Sequence, residues 1–350
     1  MSERKPSGAS TVGMNIPTLR DVAERAAVDI STVSKVLNNG SITVRPETRA
    51  RIEEAARQLR YRPNASARGL RLLRTGALGM LIPDLANPAY ATIVHGAMRR
   101  AEELGFVMLL AEFDRDRSAD AYRMLVQERR IDGLLIATAR DTSSVEAEFE
   151  HYGVPHIFVN RASASSHSVT IDDEAAVALG TNALIKAGHR RLALIAGPAD
   201  VDTARRRRLG FERACAEAGI NRFRVVSRSY TGRGGYAGMR ELLSRGTQPT
   251  GVFVSNLLAA LGALAATSEA KLRVPHDLSL VAYEDAELAE FAQPPLTTVA
   301  VPFDEMGAAA VDVLVAVLRG EARKSVVVPT APLLIERSSV CPPQSVRSDL

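Results

Sequence analysis

The chain has 350 residues, of which 46% are hydrophobic and 24% are charged, so it is long enough for two or three domains with buried cores. No apolar run reaches the roughly 18 residues that a membrane-spanning helix needs, and the polar N-terminus lacks the apolar segment of a signal peptide. We therefore expect a cytoplasmic protein, and the two cysteines, Cys215 and Cys341, are too few for a disulfide framework.

The net charge of +4 is unevenly distributed along the chain. Residues 1–74 contain 14 Lys and Arg against 7 Asp and Glu, whereas the remaining 276 residues contain 30 against 33. A small basic segment ahead of a near-neutral body indicates that the segment meets a polyanion. On charge alone, a solvated basic helix face is the alternative.

Residues 1–16 are rich in Ser, Gly and Pro, and we predict a disordered tail there. Residues 17–62 predict three helices. Thr18 and Asp21 have the spacing of a helix N-terminus, and Asp29 can cap a second helix from Ile30 to Asn38.

A proline at the first position of a helix predicts a third helix, from Pro46 to about Leu59. Two short helices joined by a tight turn form a unit that presents its second helix to the major groove. In that second helix Val33, Val36 and Leu37 form the inward face. The outward residues are short and polar, or cationic, and are Ser31, Thr32, Ser34, Lys35 and Asn38.

Short outward side chains let a helix approach base edges closely, and Lys35 can reach a guanine or a phosphate. The alternative is a small helical dimerisation module. Such a module would expose apolar residues where this helix exposes serine and lysine, so the pattern favours DNA binding.

Residues 63–75 differ from an ordinary packed linker. Pro63 ends the third helix and Asn64 can cap a short new one, in which small residues at 65–67 and Gly69 precede the large apolar residue Leu70. A short helix of this kind can enter the minor groove and push its leucine between base steps. A flexible linker whose Leu70 packs on a neighbouring domain fits the pattern equally well.

From residue 76 onward, apolar runs alternate with helical stretches. The runs are ALGMLI, FVMLLA, GLLIA, HIFVN, RLALIAG, GVFVS and LSLVAY. Continuous apolar runs are typical of parallel strands that are covered on both faces, and the alternation predicts βαβ units. There are too many units for one compact half, so two similar α/β lobes are expected.

Taken in order, the motifs resemble the LacI-type family of bacterial transcription regulators, which includes the lactose and purine repressors. The head carries TLRDVA, STVSKVLN, PETRARI and YRPNASARGL, and the body continues with IPDLANPAY, GHRRLALIAGP, ARRRRLGF, VPHDLSLVAYED and PPLTTV. The resemblance implies an α/β fold, with an all-α helix-turn-helix head and a periplasmic-binding-protein-like body of two lobes. It places lobe one at 76–172 plus 303–330 and lobe two at 173–302 plus 331–340, with a tail at 341–350.

The function implied by the resemblance is a sequence-specific DNA-binding transcription regulator, expected to be a repressor and not an enzyme. A small molecule, a sugar or a related metabolite, would bind between the lobes. The implied partners are double-stranded DNA with a pseudo-palindromic operator and a second copy of the chain. The alternative is a small-molecule-binding protein that does not recognise an operator.

The sequence also lacks the signatures of common catalytic and metal-binding sites, which agrees with the interpretation as a regulator. The sequence has no G-x-S-x-G elbow, no P-loop and no H-E-x-x-H motif. His151 and His156 are five residues apart but have no neighbouring Cys or Asp cluster. We predict no metal site, and no cofactor is implied.

The resemblance assigns DNA contacts to twelve residues of the head. Bases would be read by Ile30, Ser31 and Lys35. The phosphate backbone and the register would be set by Thr18, Thr32, Ser34, Asn38 and Thr48. The minor-groove helix would use Asn64, Ala67, Arg68 and Leu70, with Leu70 as the wedge. One departure is Arg45, where the family often has a serine cap.

The residues that would line the effector cleft are Tyr90, Asn160, Arg207, Tyr230, Asn256 and Glu284. Each has a plainer alternative: Tyr90 could belong to the core, Asn256 could cap a helix, and Arg207 could lie on a solvated face. Two departures alter the cleft. Leu257 stands where the family usually has aspartate, and Ala282–Tyr283–Glu284 replaces Gly-x-Asp, so the donor pattern differs from that of common sugar sensors.

Overall fold

A computed structural model of the chain places most of the residues that it describes in helices and strands. It describes residues 17–37, 44–61, 75–112, 125–126, 128, 130–137, 151–162, 167–244, 247–321 and 325–344. The chain divides into two units, Met1–Thr75 and Gly76–Leu350.

The described part of the first unit contains three helices: α1 (Leu19–Ala26), α2 (Ile30–Leu37) and α3 (Pro46–Gln58). Thr18 caps α1, because its hydroxyl accepts a hydrogen bond from the Asp21 amide while the Asp21 carboxylate accepts one from the Thr18 amide at 2.6 Å. The Asp29 carboxylate accepts from the Ser31 amide at 2.8 Å at the start of α2. These contacts confirm the predicted helix starts, which follow from local side-chain capping.

The three helices enclose a small core. Val22, Val33 and Ile52, one from each helix, are fully buried, and alanines fill the space between them. Arg45 precedes α3 but makes no capping hydrogen bond with its side chain, and Pro46 occupies the first turn. The start of α3 therefore relies on the fixed φ of proline rather than on a polar cap.

The second unit contains two six-stranded sheets. The strands of the first sheet are β1 (Ala77–Ile82), β2 (Val107–Glu112), β3 (Gly133–Ile136), β4 (His156–Val159), β5 (Ser168–Thr170) and β11 (Val326–Val327). Their order is β11-β5-β4-β3-β1-β2, and every pair is parallel.

The strands of the second sheet are β6 (Leu192–Ala196), β7 (Phe223–Ser227), β8 (Gly251–Val254), β9 (Ser279–Tyr283), β10 (Thr297–Ala300) and β12 (Leu333–Ile335). Their order is β12-β10-β9-β8-β6-β7, and only the pairing of β12 with β10 is antiparallel among the described strands. The two sheets thus repeat one arrangement, which fits the expected pair of similar α/β lobes.

Seven described helices of the second unit cover the sheets. They are α4 (Pro88–Glu103), α5 (Asp173–Lys186), α6 (Asp202–Glu217), α7 (Gly232–Ser244), α8 (Leu257–Glu269), α9 (Glu287–Glu290) and α10 (Phe303–Leu318). Helices α4 and α10 pack together beside the first sheet, whereas α5 packs with α6, and α7 with α8, beside the second.

Helices α4 and α10 approach each other at glycines. A Cβ on Gly96 would lie 2.0 Å from the Asp304 carbonyl oxygen, and one on Gly307 would lie 2.0 Å from the Ile93 carbonyl oxygen. Both distances are far inside van der Waals contact, so any side chain at either position would force the helices apart.

The chain passes between the two sheets three times. It leaves the first sheet after β5, returns from β10 through α10, and crosses again between β11 and β12. Each sheet therefore contains strands from distant parts of the chain, and the space between the sheets is bounded by the segments that cross.

The α/β fold class is confirmed, as are the seven predicted strands. Five further strands, β5, β7, β10, β11 and β12, were not predicted. Among the described residues, no helix is both long and apolar enough to cross a membrane.

Candidate nucleic-acid interface and ligand cleft

Helix α2 has two distinct faces. Val33 and Val36 are buried against α1 and α3, whereas Ile30, Ser31 and Lys35 are exposed. Ile30 is 42% exposed, which is unusual for a large apolar side chain at the start of a helix. The three side chains predicted to read bases thus share the outward face, as a helix that enters a groove requires.

The other head residues predicted to contact DNA differ in the exposure and the hydrogen bonding of their side chains. Thr32, Ser34 and Thr48 are half-buried, whereas Thr18 is exposed and uses its hydroxyl in the cap of α1, donating to the Asp21 carboxylate at 2.8 Å. This cap fixes the first turn of α1, where free backbone amides can meet a phosphate. Asn38, Asn64, Ala67, Arg68 and Leu70 lie outside the described residues.

The predicted cleft residues of the second unit cluster near the carboxyl ends of strands. Asn160 directly follows β4, Glu284 directly follows β9, and Asn256 lies two residues after β8. Ligands of parallel α/β sheets bind at this edge, because the loops that follow the strands meet there. Tyr90 and Arg207 come from helices α4 and α6, while Tyr230 lies between β7 and α7.

Arg207 is held in a buried network. Its side chain is 5% exposed, its Nε donates to Asp173 Oδ1 at 2.7 Å, and its Nη1 donates to the Ser255 carbonyl oxygen at 2.7 Å. The guanidinium carbon lies 3.7 Å from the centre of the Tyr283 ring and 5.5 Å from that of Tyr230. The alternative of a solvated arginine run is therefore wrong for this residue.

Asp173 organises the network, and sequence analysis missed it. Its fully buried carboxylate accepts from Arg207 and from the Tyr283 hydroxyl, the latter at 2.6 Å, and forms an ion pair with Arg206. A buried carboxylate with two arginines and a tyrosine is fully compensated. Arg207 therefore already donates within the protein through Nε and Nη1, and it shares the single charge of Asp173 with Arg206.

Tyr230 and Asn256 are linked to each other. The Asn256 side chain donates to the Tyr230 carbonyl oxygen at 3.2 Å and accepts from the Ala259 amide at 3.2 Å, which caps α8. The structure therefore shows the capping contact that was the alternative for Asn256. The Tyr230 ring passes so close to Gly197 that a Cβ there would lie 2.2 Å from its Cζ atom.

Glu284 is the least compensated acidic group in this region. It is 3% exposed, and its Oε1 atom has no hydrogen-bond partner among the described residues. Burial raises the pKa of Glu284 to about 7, although the charge of Arg207 and the Leu257 amide oppose the rise. Its backbone φ of +80° lies in the left-handed region, which costs a residue other than glycine about 1–3 kcal/mol.

Asn160 repeats this arrangement in the first sheet. Its φ is +61°, its side chain is buried, and its Oδ1 atom has no partner within the described parts of the chain. Asn160 and Glu284 therefore each follow a central strand of their sheet, and each offers one buried acceptor atom. Both residues combine a left-handed backbone with a buried, unpartnered acceptor atom, which makes them candidates for contact with a ligand.

Tyr90 faces the same region from α4. It is half-buried and packs against the core, and burial raises the pKa of its hydroxyl, which also senses the charges of Arg207 and Glu284. Tyr90, Arg207, Tyr230 and Glu284 are therefore neighbours. The partial exposure of Tyr90 leaves part of its ring for a ligand face.

Helix α6 also contacts the segment after β4. The Ala162 amide donates to Asp202 Oδ2 at 3.0 Å, and Arg206 Nη1 donates to the Ile171 carbonyl oxygen at 3.1 Å. Asp202 and Arg206 form an ion pair with a 3.0 Å separation. These bonds join α6, beside the second sheet, to the segments that follow β4 and β5 of the first sheet.

Two family models match the chain. Residues 18–64 match the model described as bacterial regulatory proteins, lacI family, and residues 181–340 match a periplasmic binding protein-like domain. The first match covers the three helices of the first unit, and the second covers almost all of the second sheet.

Individual relatives match most of the chain. The ribose operon repressor of Escherichia coli (strain K12) is 37% identical over 329 residues, which cover 92% of this chain and 99% of the relative. A structure of the Lac repressor dimer bound to operator and the anti-inducer ONPF superposes with a TM-score of 0.82 at 30% identity, covering 93% of this chain and 99% of that one. A transcriptional regulator CelR–cellobiose complex gives a TM-score of 0.70 at 32% identity, over 92% and 99% of the two chains.

Proposed function

The chain belongs to the lacI family of bacterial regulatory proteins, and from this premise we propose that it is a DNA-binding transcriptional repressor whose affinity for its operator is set by a small molecule bound in the cleft. It acts by binding and not as an enzyme. The observation that carries the proposal is α2, which buries its valines and exposes Ile30, Ser31 and Lys35.

Each exposed residue of α2 has a distinct chemical role. Lys35 donates to the guanine acceptors or to a phosphate, and Ser31 exchanges hydrogen bonds with a base edge. Ile30 offers apolar contact alone, which suits the methyl group of thymine. Thr18, Thr32, Ser34, Asn38 and Thr48 hold the backbone and set the register of the head on the duplex.

We assign residues 63–75 to a minor-groove helix, with Asn64, Ala67 and Arg68 against the groove and Leu70 as the wedge. The assignment rests on the resemblance to the family, because residues 63–74 are outside the described ranges. A wedge at the operator centre needs a matching one from a second copy, so the active form is a homodimer on a pseudo-palindromic operator. The Lac repressor structure is likewise a dimer on operator.

The effector is a neutral, hydroxyl-rich molecule of the sugar class. Asn160 and Glu284 each present a buried acceptor without a partner, which hydroxyl donors satisfy. Arg207 already donates through Nε to Asp173 and through Nη1 to the Ser255 carbonyl, so fewer of its donors remain for a phosphorylated or acidic ligand. The rings of Tyr90 and Tyr230 cover the apolar face of a sugar.

We also propose domain boundaries at 17–62, 63–75 and 76–340, with two lobes joined by crossing segments in the last of these, and a cytoplasmic location. Effector binding closes the lobes and alters how the paired minor-groove helices sit on DNA. Coupling of this kind is typically about 1–3 kcal/mol, which is roughly 5- to 150-fold in operator affinity.

Fluorescence anisotropy tests the proposal with the full-length chain and DNA from upstream of its own gene. We expect binding that weakens steeply as salt is raised, because Lys and Arg displace counterions from phosphates. A panel of ribose, cellobiose, a sugar acid and a purine base should contain one neutral sugar that shifts the affinity. Arg207→Ala should keep DNA binding but lose the response to that sugar.

Two results would refute the proposal. One is failure to bind the upstream fragment at any salt concentration. The other is an unchanged sugar response in Arg207→Ala, which would show that the ligand site lies elsewhere.

A further inference from the structure

We propose that the effector of this cleft binds Glu284 in its ionised form, and that effector binding therefore releases a proton. The inference rests on the proposed function, because it concerns the same cleft. The protein then responds to pH as well as to the effector, because the proton concentration sets the affinity for the effector.

The geometry around Glu284 favours a ligand that donates a hydrogen bond. Glu284 ends β9 beside the first turn of α8, where the Leu257 amide donates to its carboxylate. The Oε1 atom is buried and has no partner among the described residues. An acceptor held in this way is satisfied by a ligand hydroxyl, as is the matching acceptor on Asn160.

The charged and titratable groups that face Glu284 do not neutralise it. Arg207, on α6, attracts the Glu284 carboxylate, but its Nε and Nη1 atoms already donate to Asp173 and to the Ser255 carbonyl. From α4, Tyr90 faces it as a neutral phenol. Helix α8 contributes only the Leu257 amide.

The adjacent carboxylate, Asp285, is the remaining charged neighbour. It accepts from Arg337 at 2.7 Å and from the Thr298 hydroxyl at 2.5 Å, so its own charge is compensated. Among the described residues, none forms an ion pair with Glu284. The carboxyl group is consequently buried without an ion-pair partner, and the charge of Arg207 offsets only part of the cost of burial.

The sign of the pH effect follows from this arrangement. Burial raises the pKa of Glu284 to about 7 in the free protein. A ligand hydroxyl that donates to the carboxylate stabilises the charged form and lowers that pKa again. A group whose pKa falls on binding releases a proton, so effector affinity rises as pH increases through about 7 and levels off above it.

Acidification therefore weakens effector binding and leaves the repressor in its ligand-free state. A ligand that instead accepted a hydrogen bond from the protonated acid would give the opposite dependence. The direction of the proton flow thus distinguishes the two modes of recognition.

Isothermal titration calorimetry measures the proton exchange directly. The full-length chain is titrated with ribose, or with cellobiose if ribose does not bind, in two buffers that differ in ionisation enthalpy. We expect release of about half a proton at pH 7, and a Kd that falls about tenfold from pH 6 to pH 8. Proton uptake, or a Kd that does not change with pH, would overturn the inference.

Matched variants assign the proton to one residue. Glu284→Gln should bind sugar, if at all, with no pH dependence and no proton release. Asp285→Asn, which changes the neighbouring carboxylate, should keep both the pH dependence of sugar binding and the proton release. Equal proton release in Glu284→Gln and the unchanged chain would also overturn the inference, because the proton would then come from another group.

A measurement without ligand separates this inference from the proposed function. Carbon-13 NMR of the chain labelled at glutamate follows the titration of Glu284 directly and does not require any variant to fold. We expect one carboxyl group with a midpoint near pH 7, and a set of glutamates that all titrate near their ordinary pKa of about 4.3 would contradict it. Failure of every sugar to bind would instead count against the proposed function alone.

Discussion

The head and the cleft hold their functional side chains in opposite ways. On α2, Ile30, Ser31 and Lys35 are exposed and project from a helix that its buried valines already fix. In the cleft, Arg207 and Glu284 are buried, and Arg207 is bonded to groups from other elements. The side chains that we propose to read DNA therefore project from a fold that does not depend on them, whereas those that we propose to hold the effector belong to the packed core.

This difference predicts how substitutions will behave. An exposed side chain can be removed at little cost in the free energy of unfolding, so its loss changes binding alone. A buried charged group leaves its partner uncompensated when it is removed, so its loss changes stability and binding together.

Asp173→Ala gives the largest expected effect. It leaves Arg206 and Arg207 without their shared carboxylate, and loss of one partner of a buried pair costs about 3–5 kcal/mol. Urea denaturation of the full-length chain measures the change. Asp172→Ala is the matched control, because that carboxylate only caps α5 and its loss should cost about 1 kcal/mol. Equal losses in both variants would contradict our account of the network.

Lys35→Ala gives the next largest effect, and only on DNA binding. We expect operator affinity to fall by about 1–3 kcal/mol, since a base or phosphate contact is lost, with the free energy of unfolding changed by less than about 0.5 kcal/mol. Anisotropy and urea denaturation measure the two quantities. Arg57→Ala, on the exposed side of α3, is the control that should leave affinity nearly unchanged. A large loss of stability in Lys35→Ala would break the comparison between head and cleft.

Asp202→Ala gives the smallest expected effect. Asp202 is half-buried, so it is neither exposed like Lys35 nor fully buried like Asp173. It removes the acceptor for the Ala162 amide, so α6 holds the segment after β4 less firmly. We expect weaker effector binding by no more than about 1 kcal/mol, roughly fivefold in Kd by calorimetry. Arg205→Ala removes an exposed partner of Asp202 and leaves the Ala162 bond in place, so it should bind effector normally. If both variants bind effector with the same Kd, the contact between Asp202 and Ala162 has no role in closure of the two lobes.

Local signals explain which elements the sequence predicted. The spacing of Thr18 and Asp21 and the position of Pro46 set the starts of α1 and α3, because caps act within one turn. The seven predicted strands are apolar runs that lie largely inside the sheets. The missed strands are short or mixed, such as β7, where Arg224 interrupts the pattern, and β11, which has only two residues.

The cleft was predictable only in part. The family resemblance placed Tyr90, Arg207, Tyr230 and Glu284 in one neighbourhood, although their roles stay predictions. Asp173 was missed because an acidic residue in the first turn of a helix has an ordinary explanation in the helix dipole. Its partners Arg207 and Tyr283 are 34 and 110 residues away, and nothing local in the sequence signals such pairing.

The late position of β11 and β12 has a consequence for synthesis of the protein. Both sheets take an edge strand from the segment 326–335, so neither is complete until translation has passed codon 335. The three N-terminal helices emerge first and carry the groove-reading surface. A message cut short before codon 326 would therefore yield a polypeptide that still carries this surface but lacks a strand from each lobe needed to sense the metabolite.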